Sequence, residues 1–251
     1  MHLLAPLTRR LYYPGHHLDA AMRPSPESTT YALRHGSVTL RGWTAGSGPD
    51  ALVWFGGNAE DVGARAERLA STLPGRTSYL VAYRGYGASD GLPSERALVD
   101  DGLALVREVA TRHPRVAVVG RSLGSGVAVQ VASRLGGDPA TRGLIDALVL
   151  VTPFDSVRSI VRHHARGLPL DVLLGDHFRS DLHVGAVTAP VTVVRAGRDV
   201  VVPPASTDRL VRLLPPGARV VDLPERDHAD VIAADETWDA IARAVEGIDR
   251  T

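Results

Sequence analysis

Short apolar runs alternate with segments of helical spacing along most of this chain, and this alternation constrains the fold more than any other feature. Several runs are apolar throughout, as expected for strands covered on both faces. Seven are predicted as strands: residues 37–44, 51–57, 78–83, 115–120, 147–152, 191–196 and 219–223. Helices are predicted over residues 59–72, 95–113, 125–135, 206–214 and 237–248. The pattern predicts an α/β fold: a doubly wound, mostly parallel sheet with helices on both faces and a ligand site at the carboxyl ends of the strands.

The length of 251 residues suits one domain, residues 1–251, with one large core. Residues 153–187 interrupt the alternation. Basic and apolar residues are mixed there: Arg158, Arg162, His163, His164 and Arg166 with Leu168, Leu170, Val172, Leu173 and Leu174. We expect a small helical insertion over the site. An ordinary crossover helix with a long connection is the alternative.

The composition excludes several kinds of chemistry. The sequence contains no lysine, which removes Schiff-base chemistry, and no cysteine, which removes a thiolate nucleophile, disulfides and cysteine zinc sites. Its 28 basic residues (Lys and Arg) and 28 acidic residues give no net charge, so the overall charge does not favour binding to nucleic acid or anionic lipid.

The first residues carry no targeting signal of a familiar kind. Residues 1–10 lack a secretory pattern and a long apolar run, so we expect a cytoplasmic protein without a transmembrane segment. A stripe at helical spacing could instead rest on a bilayer surface: Leu3, Leu4, Leu7 and Leu11, with Arg9, Arg10, Tyr12 and Tyr13 beside it. Such a short stripe more often covers the core of its own domain.

Residues 120–124 read Gly, Arg, Ser, Leu, Gly, directly after an apolar run and before a helical segment. In that context the pattern predicts a sharp strand-to-helix turn, at which flanking glycines relieve clashes around a strained serine. Ser122 is therefore the candidate nucleophile. The pattern alone, without its context, is only suggestive.

A serine hydroxyl needs a base with a pKa near neutral, which means histidine. Of the ten histidines, His228 is selected because it follows the last predicted strand and precedes the final helix. Asp199, after the strand 191–196, is the candidate acid that orients it. Asp155 is the rival, although a role as helix N-cap is more economical for it. Asp227 is adjacent to His228 in the sequence. A carboxylate in that position usually cannot reach a ring nitrogen of the histidine in a productive geometry.

An acyl-transfer site also needs two donors for the oxyanion. The backbone N–H of Leu123 directly follows the nucleophile, and a second donor is expected in the loop after an early strand. Gly56, Gly57 and Asn58 end the run 51–57 and supply that loop. We expect the Asn58 N–H to donate, with Gly57 or Ala59 as alternatives one residue away.

At these motifs the chain resembles the α/β-hydrolase superfamily, in particular its small single-domain serine hydrolases, which include α/β-hydrolase-domain-containing and serine aminopeptidase-like proteins. The resemblance covers roughly residues 11–248. Its most specific match is residues 83–91, Tyr-Arg-Gly-Tyr-Gly-Ala-Ser-Asp-Gly, followed by Leu-Pro-Ser-Glu. Within the family this loop mainly shapes the scaffold, so Arg84 and Tyr86 are not assigned a catalytic role. The chain departs from the family where Gly56 replaces the usual histidine, which affects loop geometry and substrate preference.

The resemblance implies two-step acyl transfer on a small carboxylic ester or thioester, with no metal or organic cofactor. An aminopeptidase is the second enzymatic interpretation, and it would need Glu60 or Asp61 as an anchor for the substrate amine; stabilising the N-terminus of the next helix is their more economical role. A catalytically silent binding module on the same fold is the third. The Arg and His cluster of residues 158–166 could bind a phosphate or carboxylate head group, and a solvated helix face explains it equally well.

Overall fold

The protein forms an eight-stranded sheet flanked by helices. The computed structural model describes Tyr13 and residues 28–165 and 175–247. The strands are β1 (Ser28–His35), β2 (Val38–Ala45), β3 (Asp50–Phe55), β4 (Arg76–Val81), β5 (Val116–Arg121), β6 (Ile145–Val151), β7 (Val191–Ala196) and β8 (Arg219–Leu223). Their order in the sheet is β1-β2-β4-β3-β5-β6-β7-β8. Only β2 runs opposite to the other described strands, and the remaining seven point the same way.

The α-helices are α1 (Ala66–Thr72), α2 (Glu95–Ala110), α3 (Leu123–Gly137), α4 (Val157–His164), α5 (Ser180–His183), α6 (Pro204–Val211) and α7 (Asp235–Glu246). Short 3-10 helices lie at Val62–Arg65, Val184–Ala186 and Asp230–Ala233.

The sheet separates two hydrophobic clusters, one on each face. Along β3, Val53 and Phe55 belong to the cluster that includes α2 and α3, whereas Leu52 and Trp54 belong to the cluster of α1 and α7. Successive side chains of a strand point to opposite faces, so the strands β2 to β7 contribute to both clusters. This is why the central strands are apolar throughout. The prediction of a doubly wound, mostly parallel sheet with helices on both faces is confirmed.

The main error of the sequence prediction is β1, which was missed. This edge strand reads Ser-Thr-Thr-Tyr-Ala-Leu-Arg-His and has no fully buried residue, so its hydrophobic signal is weak. It pairs antiparallel with β2 through a tight hairpin in which Gly36 has a φ of +61°. The predicted helix 59–72 also begins later, as a 3-10 turn followed by α1.

The segment between β6 and β7 contains α4, α5 and a 3-10 turn, in agreement with the predicted small helical insertion. Phe154 and Phe178 anchor it on α3. A Cβ added to Gly126 would lie 3.0 Å from Phe154 Cζ and 3.0 Å from Phe178 Cβ, so the glycine allows this close packing. Arg166 and the apolar residues at 168–174 lie outside the described residues.

Tyr13 is 1% exposed and packs in the core cluster of α2 and α3, where its hydroxyl donates to Asp176 Oδ2 at 2.7 Å. It is therefore a core residue and not part of a membrane-facing surface. Leu3, Leu4, Leu7, Leu11, Arg9, Arg10 and Tyr12 lie outside the described residues. Within the described ranges, no helix has the length and apolar character needed to span a bilayer.

Candidate active site

Ser122 occupies the turn between β5 and α3. Its φ of 49° and ψ of −116° are strained for a residue with a side chain. Two backbone hydrogen bonds hold the turn: the Ser122 N–H donates to Val151 O at 3.0 Å, and the Ser125 N–H donates to Ser122 O at 2.8 Å. The surrounding structure thus imposes the strained conformation predicted for a serine at a sharp strand-to-helix turn.

The two glycines that flank Ser122 are required by close packing. A Cβ on Gly124 would lie 1.9 Å from Phe55 O, and a Cβ on Gly120 would lie 2.5 Å from Gly124 O. Real Cβ atoms do not approach backbone this closely, so neither position can carry a side chain without displacing β3 or α3. The end of β3 and the Ser122 turn are therefore in direct contact.

The structure brings Ser122, His228 and Asp199 together from distant parts of the chain. His228 Nε2 lies 3.0 Å from Ser122 Oγ, and His228 Nδ1 lies 2.8 Å from Asp199 Oδ2. The side chains of His228 and Asp199 are 14% and 4% exposed. Because a carboxylate only accepts hydrogen bonds, the contact assigns the proton to Nδ1 and leaves Nε2 to accept from the serine hydroxyl.

The loops after β7 and β8 hold the acid and the imidazole in place. Asp199 Oδ1 accepts from the backbone N–H groups of Val201 at 2.9 Å and Val202 at 2.7 Å, so only Oδ2 faces the histidine. Asp227 turns away from the ring: its Oδ1 accepts from the N–H groups of Ala229 and Asp230. These backbone hydrogen bonds hold the pKa of Asp227 below its ordinary value.

Asp155, the rival acid, is engaged elsewhere. Its carboxylate accepts from the hydroxyls of Ser159 and Ser206 and from Arg209 Nε at 2.7 Å. Burial alone would raise the pKa of this carboxyl, but the three donors outweigh burial and hold its pKa below the ordinary value. The expected N-cap role is also wrong: Ser156 caps α4, its hydroxyl accepting from the Ser159 N–H at 3.2 Å.

The loop after β3 lies against the Ser122 turn. A Cβ on Gly57 would be 3.6 Å from Ser122 Cβ. The Gly57 N–H donates to Glu60 Oε2 at 2.6 Å, and Ala59 has a φ of +62°. The Gly57 N–H is thus engaged within the loop, which removes one of the three alternatives for the second oxyanion donor.

Glu60 organises this loop, a role that sequence reasoning missed. Its side chain is 2% exposed and accepts at both oxygens: Oε2 from Gly57 N–H and from Arg121 Nη1 at 3.1 Å, and Oε1 from Trp54 Nε1 and Arg65 Nε, each at 3.2 Å. Arg121, the residue before the serine, also donates through Nη2 to His228 O at 3.1 Å. One buried ion pair thus connects the β3 loop, the Ser122 turn and the His228 loop.

These contacts argue against Glu60 as the anchor for a substrate amine. Its carboxylate already accepts from four donors of this chain. Asp61 stabilises the following 3-10 helix, as expected, with Oδ1 accepting from the Gly63 N–H at 3.0 Å.

Two tyrosines of the loop after β4 support the β3 loop from the other side. The Tyr83 hydroxyl donates to Gly56 O at 2.9 Å, and the Tyr86 hydroxyl donates to Asn58 Oδ1 at 2.7 Å. Burial raises the pKa of both phenols well above their ordinary value, so both remain donors at neutral pH. The expectation that the loop after β4 shapes the scaffold agrees with the structure. The sequence did not indicate that this loop contacts the β3 loop.

A metal centre is not evident in the described ranges, where no cluster of three or more His, Asp or Glu side chains is arranged to hold an ion.

The chain is similar to several known proteins, although no protein-family model matches it. It is 36% identical over 239 residues to the uncharacterized protein Rv2307c of Mycobacterium tuberculosis, over 88% of this chain and 80% of that protein. It is 36% identical over 137 residues to the lysophosphatidylserine lipase ABHD12 of Danio rerio, over 48% of this chain and 35% of that protein. A crystal structure of an alpha-beta hydrolase from Vibrio vulnificus superposes with a TM-score of 0.79 over 97% of this chain and 94% of that chain, at 15% identity.

We expect Asp155→Asn to lower the free energy of unfolding at pH 7 by about 2 kcal/mol, because the buried carboxylate loses charge-assisted hydrogen bonds. The folded-state pKa of Asp155 is depressed, so its contribution is complete above the unfolded pKa of about 4 and is lost as the pH falls through the folded pKa. Urea unfolding at pH 7 and pH 3 measures this, with the exposed Asp239→Asn on α7 as control. A difference from wild type that does not shrink at pH 3 would contradict the assignment.

Proposed function

We propose that this chain, which has the α/β-hydrolase fold, is a serine hydrolase that cleaves a carboxylic ester or thioester through an acyl-enzyme on Ser122. The observation that carries this proposal is the continuous hydrogen-bonded series from Ser122 Oγ through both nitrogens of His228 to Asp199 Oδ2. A series of this geometry activates a hydroxyl that would otherwise be a poor nucleophile at neutral pH.

In the first half of the reaction Ser122 Oγ attacks the substrate carbonyl while His228 Nε2 takes its proton. Asp199 holds the Nδ1–H and stabilises the imidazolium that forms. The Val201 and Val202 N–H groups fix the Asp199 carboxylate, so the acid needs no rearrangement during the step. His228 then protonates the leaving alcohol or thiol, and the acyl group stays on Ser122.

Negative charge on the carbonyl oxygen is stabilised by two backbone donors. We assign these to the Leu123 N–H, at the start of α3, and the Asn58 N–H, in the β3 loop. The start of a 15-residue helix adds its partial positive charge at the same place. The Gly57 N–H, one of the alternatives, already donates to Glu60 Oε2.

In the second half, water attacks the acyl-enzyme with His228 as base, and the carboxylic acid leaves. The cycle needs no metal or organic cofactor.

A small acyl ester or thioester is the substrate class that suits this site. The name of the similar lysophosphatidylserine lipase also favours an acyl ester. An aminopeptidase is less well supported, because its anchor for the substrate amine would have to be Glu60, which is 2% exposed and accepts from four donors, or Asp61, which caps a helix. A silent binding module would have no use for a serine held in a strained conformation against a paired histidine.

The nucleophile is tested with a fluorophosphonate probe and 4-nitrophenyl esters of increasing acyl length. We expect covalent labelling and burst-phase ester turnover in the wild type, and loss of both in Ser122→Ala, because removing the nucleophile of a triad costs about 10⁶-fold in kcat. Ser133→Ala on the same helix is the matched control. A folded wild type that neither labels nor turns over would favour the binding module.

Asp199→Asn should lower kcat by about 10³- to 10⁴-fold, because an amide presents the wrong partner to His228 Nδ1 and permits the wrong tautomer. Asp222→Asn, at an exposed position on β8, is the control because it makes the same chemical change away from the site. The kcat of both variants is measured at saturating ester. The acid assignment fails if Asp199→Asn keeps near-normal turnover while Asp155→Asn loses it in folded protein.

The buried ion pair between Glu60 and Arg121 should matter for rate. Glu60→Gln and Arg121→Met are each expected to lower kcat by about 10- to 100-fold, because both loosen loops that carry reacting groups and small misplacements are costly. The double variant should lose little more than either single variant, since the residues act through one interaction. Glu67→Gln, exposed on α1, is the control. Additive losses in the double variant would contradict the coupling.

A further inference from the structure

Tyr86 is held firmly in the loop that follows β4. It lies between Gly85 and Gly87, whose φ angles of +74° and +51° are in the left-handed region that glycine adopts readily. Its N–H donates to Tyr83 O at 2.9 Å, and its carbonyl oxygen accepts from the Ser89 N–H at 2.9 Å. Tyr86 is 4% exposed, and its ring packs edge-on against the Tyr83 ring with centroids 5.7 Å apart. It is therefore a fixed support for the group that its hydroxyl contacts.

The hydroxyl of Tyr86 reaches an exposed residue of the β3 loop. It donates to Asn58 Oδ1 at 2.7 Å, although Asn58 lies at the protein surface, where water could satisfy the same oxygen. A hydrogen bond that replaces one to water adds little to the free energy of folding. Stability alone does not account for this contact. Its effect is to fix the orientation of a residue that solvent would leave free to rotate.

The β3 loop needs such a restraint because its turn is strained. The Glu60 N–H donates to Gly57 O at 3.2 Å and closes a four-residue turn. Asn58 and Ala59 occupy its two central positions, and Ala59 has a φ of +62°, a value that turns usually give to glycine or asparagine. Such a backbone persists only where surrounding contacts hold it. Glu60 Oε2 holds the first residue of the turn through the Gly57 N–H, and Tyr86 holds the second through its side chain.

We propose that Tyr86 is a positioning residue for acyl transfer: its hydroxyl holds the Asn58 side chain and so keeps the Asn58 N–H directed at the substrate carbonyl oxygen. This inference rests on the proposed function, in which that N–H stabilises the oxyanion. A backbone rotation at residue 58 that redirects the N–H also breaks the contact to Tyr86. Because an oxyanion donor acts in the transition state, where small misplacements are costly, Tyr86 should affect kcat rather than substrate binding.

Tyr83 makes a different kind of contact, although it belongs to the same loop. Its hydroxyl donates to Gly56 O at 2.9 Å, and both residues are buried. Loss of that hydroxyl removes a donor from a buried carbonyl, which lowers stability. The two tyrosines thus differ in what their hydroxyls do: Tyr83 satisfies a carbonyl in the interior, whereas Tyr86 orients a residue at the surface.

The kinetics of Tyr86→Phe test the inference, since this change removes the hydroxyl and keeps the ring. With a 4-nitrophenyl ester we expect kcat to fall about 10-fold or more, because loss of an entire oxyanion donor costs about 10²- to 10³-fold. KM should stay within about twofold of the wild type. Inhibition by an alkyl trifluoromethyl ketone, which forms a tetrahedral oxyanion on a catalytic serine, should weaken by the same factor as kcat.

The matched control is Tyr79→Phe on β4, which also removes one phenol hydroxyl. That hydroxyl contacts His113 Nε2 at 2.8 Å, and His113 Nδ1 contacts Pro49 O near the amino end of β3. The candidate active site lies at the carboxyl ends of the strands. Tyr79→Phe should therefore keep the kcat and the inhibition constant of the wild type.

A double-variant cycle distinguishes positioning from a purely structural role. Asn58→Ala keeps the backbone N–H but removes the acceptor of Tyr86, so it should lower kcat by about the same factor as Tyr86→Phe. The double variant should lose little more than either single variant, because both changes break one contact. Asn58→Ala, at an exposed position, also supplies the comparison if Tyr86→Phe does not fold, as judged by thermal melting.

Failure of this inference is distinguishable from failure of the proposed function. With an active wild type, an unchanged kcat in folded Tyr86→Phe or Asn58→Ala overturns the positioning role alone. So does an equal loss of kcat in Tyr79→Phe, or a loss in the double variant that equals the product of the two single losses. A folded wild type that neither labels with fluorophosphonate nor turns over ester overturns the proposed function and the positioning role with it.

Discussion

The close contact between the Ser122 turn and the end of β3 is the constraint on which the candidate site depends. Gly124 approaches Phe55 O so closely that a Cβ there would lie 1.9 Å away. This contact places the β3 loop, which carries the proposed donor Asn58, beside the start of α3. It also locks Ser122 in a backbone conformation that an unsupported serine would leave. The strained backbone of Ser122 and the position of the β3 loop beside it are thus consequences of one packing requirement.

Two buried carboxylates, Glu60 and Asp155, are each paired with an arginine that is distant in the sequence. The carboxylate of Glu60 would be costly to bury alone, but four donors compensate it. Arg121 extends this network to His228 O, and Asp155 receives similar compensation from Arg209 and two serines. Such compensation of buried carboxylates favours one arrangement of loops, because any other arrangement leaves a charge in the interior without partners.

The segment between β6 and β7 gives this common scaffold its particular character. Phe154 and Phe178 anchor it on α3, and its two arginines on α4 line one polar cavity with Arg179 and Arg209. The same segment therefore has an apolar side that secures it and a cationic side beside the Asp199 loop. A scaffold of parallel strands tolerates such insertions at its carboxyl edge, where loop variation changes ligand preference without altering the sheet.

The sequence by itself determined the parallel sheet, because buried central strands need apolar residues on both faces, and it determined the glycines around Ser122, because only glycine fits that turn. It also indicated Ser122, Asp199 and His228 through their positions after three of the strands, β5, β7 and β8. It did not reveal β1, whose edge position leaves a weak hydrophobic pattern, nor the role of Glu60. Only the tertiary structure decided that Glu60 meets Arg121, 61 residues away, and that four arginines line one cavity. Contacts between distant segments depend on how loops pack and leave no periodic signal in the chain.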